Sequence, residues 1–134
     1  METLKSSTKL YRYEDYCAVS HAGMFLLDGT YIPQRFTTEI NCIELPVLKV
    51  TPKGFWIDMC GFGRIKRFVL ARGRKRFAHP TKEEALQAFI YRKKAQVKIL
   101  SDRLASAKAA LAKAKWDQER QEKKWIDELQ APTK

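Results

Sequence analysis

Basic side chains are concentrated in one short segment of this 134-residue chain. Thirteen consecutive residues carry seven cations and no acid: Arg64, Lys66, Arg67, Arg72, Arg74, Lys75 and Arg76. Guanidinium groups bind phosphate through two parallel hydrogen bonds, so this clustering favours a site for an anion. The formal net charge of +11 favours anionic partners in general, although solubility and a solvated helix face are the alternative explanation.

Aromatic residues alternate with these cations, and aromatic rings stack against nucleotide bases. Phe77, between Arg76 and Ala78, is the predicted stacking residue, with Arg74 and Arg76 beside it. Trp56 is a second candidate, because it alternates with its apolar neighbours on a predicted strand and is expected to face outward. Core packing is the expected role of Phe68 and Phe89.

Two further arginines, Arg92 and Arg103, lie in a predicted helix. They are eleven residues apart, which is three helical turns, so they share nearly the same face. Asp102 is the only acid between residues 85 and 116. Pairing with acids along the helix therefore does not explain these cations, and we predict that Arg92 and Arg103 bind the anion too.

Patterns for catalysis and metal binding are weak. His21 and His79 lie in different segments, and neither has a nucleophile nearby. Gly61-Phe62-Gly63 lacks the third glycine of a dinucleotide fingerprint and is interpreted as a turn. The cysteines include no C-x-x-C pair, so reduced thiols are expected: Cys17, Cys42 and Cys60. We predict no catalytic residue, no metal and no cofactor.

The chain length predicts a single domain over residues 1–134. Its beginning has no secretory signal pattern, and no apolar run is long enough to cross a bilayer. These features predict a protein inside the cell with no membrane partner.

Residues 10–76 have the composition of a β-sheet. About five short antiparallel strands are expected, separated by turns at His21–Gly23, Asp28-Gly29, Thr51–Gly54 and 61–63. Pro33 favours a loop or an edge strand, and Pro46 a bend or an edge, because proline donates no ladder hydrogen bond. Strands followed by helix predict an α+β fold: an N-terminal antiparallel meander and long C-terminal helices that mediate oligomerisation.

The helical part is predicted over residues 81–129, which contain no glycine or proline. Thr81 and Glu84 fit a capping box at its start. Apolar residues follow a heptad spacing that only Lys93 interrupts: Leu86, Ile90, Val97, Leu100, Leu104, Ala107, Leu111 and Ala114. Such a seam needs another helix to cover it. A continuous helix of about 70 Å is too long for one small sheet, so it either joins a bundle with other subunits or breaks once.

Three strings carry a resemblance to a known family. They are Tyr11-Arg12-Tyr13-Glu14-Asp15, the run Lys49–Ile57 containing PKGFWI, and the run Arg74–Leu86 containing KRFAHPTKEEAL, followed by a basic helix. Together they resemble the phage anti-defence sponges that counter the bacterial Thoeris system. The likeness covers roughly residues 10–112; the segment His21–Thr38 and the tail past Lys115 depart from it.

The resemblance implies an N-terminal antiparallel sheet, C-terminal helices, and homodimers that assemble into hexamers. It implies sequestration, in the cytoplasm of the infected host, of a glycocyclic ADP-ribose isomer made by a TIR-domain enzyme, and for some members of cyclic oligonucleotides. A base or ribose would then stack on Phe77 or Trp56, and Arg76, Arg92 or Arg103 would hold the pyrophosphate. Two alternatives stay open: a basic protein that binds nucleic acid, which is the less favoured partner, and a protein that blocks a host enzyme through the basic helix.

Overall fold

A computed structural model of the chain describes residues 8–132. It contains six strands and one helix: β1 (Lys9–His21), β2 (Met24–Phe25), β3 (Tyr31–Ile32), β4 (Arg35–Val50), β5 (Gly54–Asp58), β6 (Lys66–Leu70) and α1 (Lys82–Gln130). An antiparallel sheet in the order β1-β4-β5-β6 precedes the helix, and β2 and β3 form a separate hairpin. The predicted α+β class is confirmed, with one long helix rather than several.

The prediction of about five short strands is wrong for the first half of the sheet. β1 has 13 residues and β4 has 16, and they pair continuously from Lys9 opposite Pro46 to Val19 opposite Phe36. Glu14 and Asp15 are both exposed in this ribbon and do not interrupt the pairing. Strand length therefore follows from pairing between β1 and β4, which local composition does not reveal.

Pro46 marks the point where β4 changes partner. Residues up to Pro46 pair with β1, and pairing with β5 starts at Val47, with a register shift before Lys49. Because proline cannot donate a ladder hydrogen bond, it is tolerated where one pairing ends and the next begins. The two pairings hardly overlap, so most of the β1–β4 ladder is only two strands wide.

We call residues 13–42 the arm. It comprises the outer part of the β1–β4 ladder, from Tyr13 opposite Cys42, and the β2–β3 hairpin at its tip. The predicted turn at Asp28-Gly29 is present: Gly29 has a positive φ of 83°, and its N–H donates to the Leu26 carbonyl at 2.9 Å. Large apolar side chains at the tip are exposed, and Leu27 is completely so.

The core is small and lies at the base of the arm. Its buried members are Leu10, Leu45, Val47, Ile57, Val69 and Ala78, with Phe55, Met59 and Phe77 packed against them. Strand alternation explains which side chains form the core: Phe55 and Ile57 on β5 and Val69 on β6 lie on the same face of the sheet. Arg67, which is opposite Ile57, lies on that face too. This face of the sheet positions the candidate site described below.

The segment after β6 pairs with the free edge of β1. The Tyr11 N–H donates to the His79 carbonyl at 2.7 Å, and the His79 N–H donates to the Tyr11 carbonyl at 2.9 Å. Ala78 is thereby buried in the core and Phe77 is placed beside it. The start of the helix is thus attached to the first strand of the sheet.

Helix α1 is continuous over 49 residues. Thr81 caps it as predicted, since its Oγ1 accepts the Glu84 N–H at 3.2 Å. The other half of the expected capping box is replaced: the Glu84 carboxylate lies 3.7 Å from the Arg76 guanidinium. Phe89 is buried together with Ala85, which confirms a core role for Phe89.

The chain divides into two compact units between Tyr91 and Arg92, inside α1. The first contains the sheet, the arm and the buried helical start. The second contains the remainder of the helix, on which the described apolar side chains are exposed. No helix within residues 8–132 has the length and apolarity needed to cross a membrane.

Candidate anion-binding site

Phe77 lies beside two guanidinium groups. The Cζ of Arg12 is 4.0 Å from the centre of the Phe77 ring, and the Cζ of Arg67 is 3.8 Å from it. Both distances are within the range of cation–π attraction. Elements far apart in sequence supply the three residues: β1, β6 and the segment between β6 and α1. We call Arg12, Arg67 and Phe77 the cation–aromatic cluster.

Arg12 is the fixed member of this cluster. Its Nη1 donates to the Phe77 carbonyl at 2.7 Å, and its Nε donates to Glu14 Oε1 at 2.6 Å. Its side chain is only 19% exposed. Arg12 therefore holds the backbone of Phe77 in place, and two of its five N–H donors are already used.

Arg67 is the available member. It is exposed at a β6 position directly opposite Ile57. Within residues 8–132 its guanidinium contacts the Phe77 ring and forms no ion pair. The donors of Arg67 can therefore turn towards a phosphate without breaking an ion pair.

Arg76 has an intramolecular role. Its Nη1 donates to the Ala71 carbonyl at 3.1 Å, and its Nη2 lies 3.7 Å from the Glu84 carboxylate. These contacts tie the loop after β6 to the first turn of α1. The remaining cations of the cluster predicted from sequence are exposed: Arg64, Lys66, Arg72, Arg74 and Lys75.

Trp56 lies on the opposite face of the sheet from Phe77. It is 38% exposed, as alternation predicted, and its ring centre is 5.3 Å from that of Phe68. The expectation that Phe68 packs in the core is wrong, because β6 pairs so that Phe68 stands opposite Trp56 while Val69 faces inward. Lys49 is the residue opposite Trp56 on β4. The interleaved aromatic and basic residues are thus divided between two faces.

Arg92 and Arg103 lie on α1 within the second unit. Arg103 is exposed and Arg92 is partly buried. The first unit thus contains four of the predicted site residues: Phe77, Arg76, Arg74 and, on the opposite face of the sheet, Trp56. The second unit contains the other two. Binding of a ligand by these six residues stays a prediction.

Sequence reasoning missed Arg12. It is 65 residues from Phe77 and belongs to the first strand, so only tertiary structure brings them together. A signal did exist: β1 alternates, and Arg12 falls on the same side as Leu10, which is buried. A cation on the core side of a strand needs a partner, and Phe77 with its carbonyl supplies one.

Asp58 organises the loop that follows β5. Although it shares the outward parity of Trp56, it is buried: its carboxylate accepts the Gly63 N–H at 2.8 Å and the Cys60 N–H at 3.1 Å. The Gly63 hydrogen bond, followed by that of Cys60, lowers the pKa of Asp58 below its ordinary value. Its ionised form therefore stabilises the loop leading into β6 and Arg67.

Acid is expected to remove this stabilisation. A carboxyl whose pKa is lower in the folded state stabilises the fold above its unfolded pKa, about 3.9, and the contribution is lost as the pH falls through the folded pKa. In Asp58→Asn, the difference in unfolding free energy between pH 7 and pH 3, measured by urea titration, should shrink relative to the parent. Asp117→Asn is the control, because Asp117 is exposed on α1; an equal effect in both variants would contradict the assignment.

Among residues 8–132, no group of three or more histidine, cysteine or acidic side chains is arranged to hold a metal ion. The three cysteines are free thiols. What the geometry offers is therefore positive charge beside aromatic rings. Comparison of the chain with protein-family models, with curated proteins and with solved structures finds no match.

Proposed function

We propose that the protein binds a signalling nucleotide, a glycocyclic ADP-ribose isomer, and withholds it unaltered from its effector. The observation that carries the proposal is the cation–aromatic cluster, in which two guanidinium groups lie in van der Waals contact with one aromatic ring. A nucleotide presents a flat base and a pyrophosphate, and these residue types recognise both. Cyclic oligonucleotides share this chemistry and are a further proposed ligand class.

Binding would exchange one partner of Phe77 for another. Arg67 lies against the Phe77 ring, so a base that stacks on that side of the ring must displace it. The displaced guanidinium would then turn to the pyrophosphate, while Arg12 keeps its bond to the Phe77 carbonyl. Arg74, Arg92 and Arg103 are proposed as further phosphate ligands, and Trp56 as a second stacking surface.

In biological terms, the protein would be a phage anti-defence sponge in the host cytoplasm, acting as a homo-oligomer against the Thoeris system. Its effect depends on affinity and abundance, because the free messenger must stay below the level that occupies the effector. The three sequence strings quoted above and the excess of cations support this proposal. No bond of the ligand is broken, so it should be recovered intact.

Calorimetric titration tests the proposal directly. The purified protein is titrated with a panel of cyclic ADP-ribose isomers and cyclic oligonucleotides, and the bound ligand is released by denaturation and analysed by mass spectrometry. Saturable binding of at least one member, with an unchanged ligand mass, is expected. Failure of every member to bind, or conversion of the ligand, would overturn the proposal.

Phe77→Leu is expected to weaken nucleotide binding by roughly tenfold to a hundredfold, the range for loss of one stacked base. Leucine keeps apolar volume against the core, so the fold should survive. Phe62→Leu is the matched control, because Phe62 lies 85% exposed in the loop after β5. Undiminished affinity of Phe77→Leu, measured by the same calorimetry, would show that the ring does not stack the ligand.

Salt dependence separates the nucleotide from a nucleic-acid ligand. Duplex affinity falls steeply with salt because bound cations are released. An enclosed nucleotide held by few charges should lose much less affinity between 50 mM and 200 mM salt. Tight duplex binding with a steep salt slope and no nucleotide binding would favour the nucleic-acid alternative.

A further inference from the structure

The arm presents an apolar face to solvent. Pairing of β1 with β4 places Val19 opposite Phe36 and Ile40 opposite Asp15, all on one face, and Val19, Phe36 and Ile40 are each more than half exposed. The tip continues the apolar surface: Met24, Phe25, Leu26, Leu27 and Tyr31. A two-stranded ribbon is at best marginally stable unless something covers such a face. The arm is therefore a surface for an interaction.

The charge of the arm is opposite to that of the whole protein. Its 30 residues contain four acidic residues and one basic residue: Glu14, Asp15, Asp28, Glu39 and Arg35. The complete chain has a formal net charge of +11. A basic, apolar surface is consequently the kind of partner that the arm fits.

Residues 92–115 of α1 form such a surface. They contain eight basic residues and one acidic residue: Arg92, Lys93, Lys94, Lys98, Arg103, Lys108, Lys113, Lys115 and Asp102. The seam side chains Val97, Leu100, Leu104 and Leu111 are all more than half exposed. Apolar surface with flanking cations is thus available on the same molecule that carries the acidic, apolar arm.

Pairing of this seam with its own copy in parallel would be opposed by charge. The heptad spacing puts Lys94, Lys108 and Lys115 along one side of the seam and Arg103 along the other. In a parallel pair, Arg103 of one helix would face Lys108 of the next, a repulsive contact at the position that sets partner choice. The apolar face of the arm supplies a carboxylate instead, that of Asp15 opposite Ile40.

We propose that the arm of one copy docks on residues 92–115 of α1 in a second copy. Val19, Phe36 and Ile40 would cover the seam, and Asp15, the strand acid on the same face of the arm, would lie beside the lysines that flank it. The docking surface includes Arg92 and Arg103, which are also proposed phosphate ligands, so the variants below leave both arginines unchanged and self-association is measured without nucleotide. Two copies joined in this way have a mass of twice 15.6 kDa.

Charge reversal tests the pairing. The arm-reversed variant carries Asp15→Lys and Thr38→Lys, both on the docking face of the ribbon. The helix-reversed variant carries Lys94→Glu, Lys98→Glu, Lys108→Glu and Lys115→Glu. All six positions are exposed, and lysine and glutamate have similar helix propensity. Each variant alone should self-associate at least tenfold more weakly than the parent in sedimentation velocity, since its arm and helix now repel. A 1:1 mixture restores both complementary contacts and should recover the parental mass.

The outcomes are distinguishable. A parent protein that is monomeric at 100 μM overturns the proposal, and so does an arm-reversed variant that assembles normally. If only the helix-reversed variant dissociates and the mixture does not recover, the seam pairs with another helix rather than with the arm, and the proposal is wrong. Circular dichroism of each variant confirms that loss of association is not loss of fold.

The apolar part of the interface has its own test. Phe36→Thr with Ile40→Thr keeps strand propensity while removing apolar surface from the docking face, and self-association should weaken at least tenfold. Tyr16→Thr is the control, because Tyr16 is exposed on the opposite face of the same ribbon. Equal weakening by both variants would contradict the assigned face.

Discussion

Ile57→Ala is expected to lower the free energy of unfolding of the sheet unit by about 2–5 kcal/mol, the range for truncating a buried isoleucine. Ile57 is completely buried at the centre of a core of six buried side chains. A small core cannot collapse around the cavity without moving a strand, so the upper half of this range is expected. Folded small domains have only about 5–15 kcal/mol in total.

Urea titration followed by the fluorescence of Trp56 measures this effect, in a background in which Trp116 and Trp125 are replaced by phenylalanine. Protein concentration is held constant, because self-association would raise the apparent stability. Ile65→Ala is the control: Ile65 is 60% exposed, and its substitution should change the unfolding free energy by less than about 0.5 kcal/mol. A similar small change for Ile57→Ala would show that the core does not hold this unit together.

Gly54→Ala is the second substitution with a large expected effect. A Cβ on Gly54 would lie 2.1 Å from the Val69 carbonyl oxygen and 3.0 Å from the Leu70 Cα. Both atoms belong to the backbone of the paired strand β6, so relief requires β5 and β6 to separate. We expect destabilisation at or above the upper end of about 1–3 kcal/mol, the usual range for overpacking.

The control for Gly54 is Gly23→Ala. A Cβ on Gly23 would be equally crowded, at 2.3 Å, but the atom it meets is the hydroxyl of Tyr31 at the end of a flexible side chain. Rotation of that ring should relieve the contact at little cost. Thermal unfolding should therefore show a clearly lower midpoint for Gly54→Ala than for Gly23→Ala; equal midpoints would mean that β6 is free to move away.

The sequence predicted the helix and the position of Trp56 well because both follow from local rules. Absence of glycine and proline defines α1, and Thr81 marks its first turn. Strand alternation placed Trp56 outward. The same rule did not predict the position of Phe68, because the face on which Phe68 lies depends on which residue of β5 it pairs with.

The candidate site was only half predictable for a related reason. Phe77 and its neighbouring cations are adjacent in sequence, so their clustering was visible. The involvement of Arg12 depends on the pairing of Tyr11 with His79, which joins the first strand to the segment after the last. No local pattern encodes such a contact. The burial of Asp58 was likewise missed, because its partners are backbone N–H groups of a loop.

The change of partner at Pro46 has an evolutionary consequence. In the arm, which precedes Pro46 in β4, the strands β1 and β4 pair only with each other. Removing or adding the same even number of residues in both strands therefore leaves every remaining side chain on its original face. The length of the arm can therefore vary in steps of about 7 Å, one step for each two residues added to each strand, without a change in the core. Such a chain can explore new neighbours by changing a length instead of a fold.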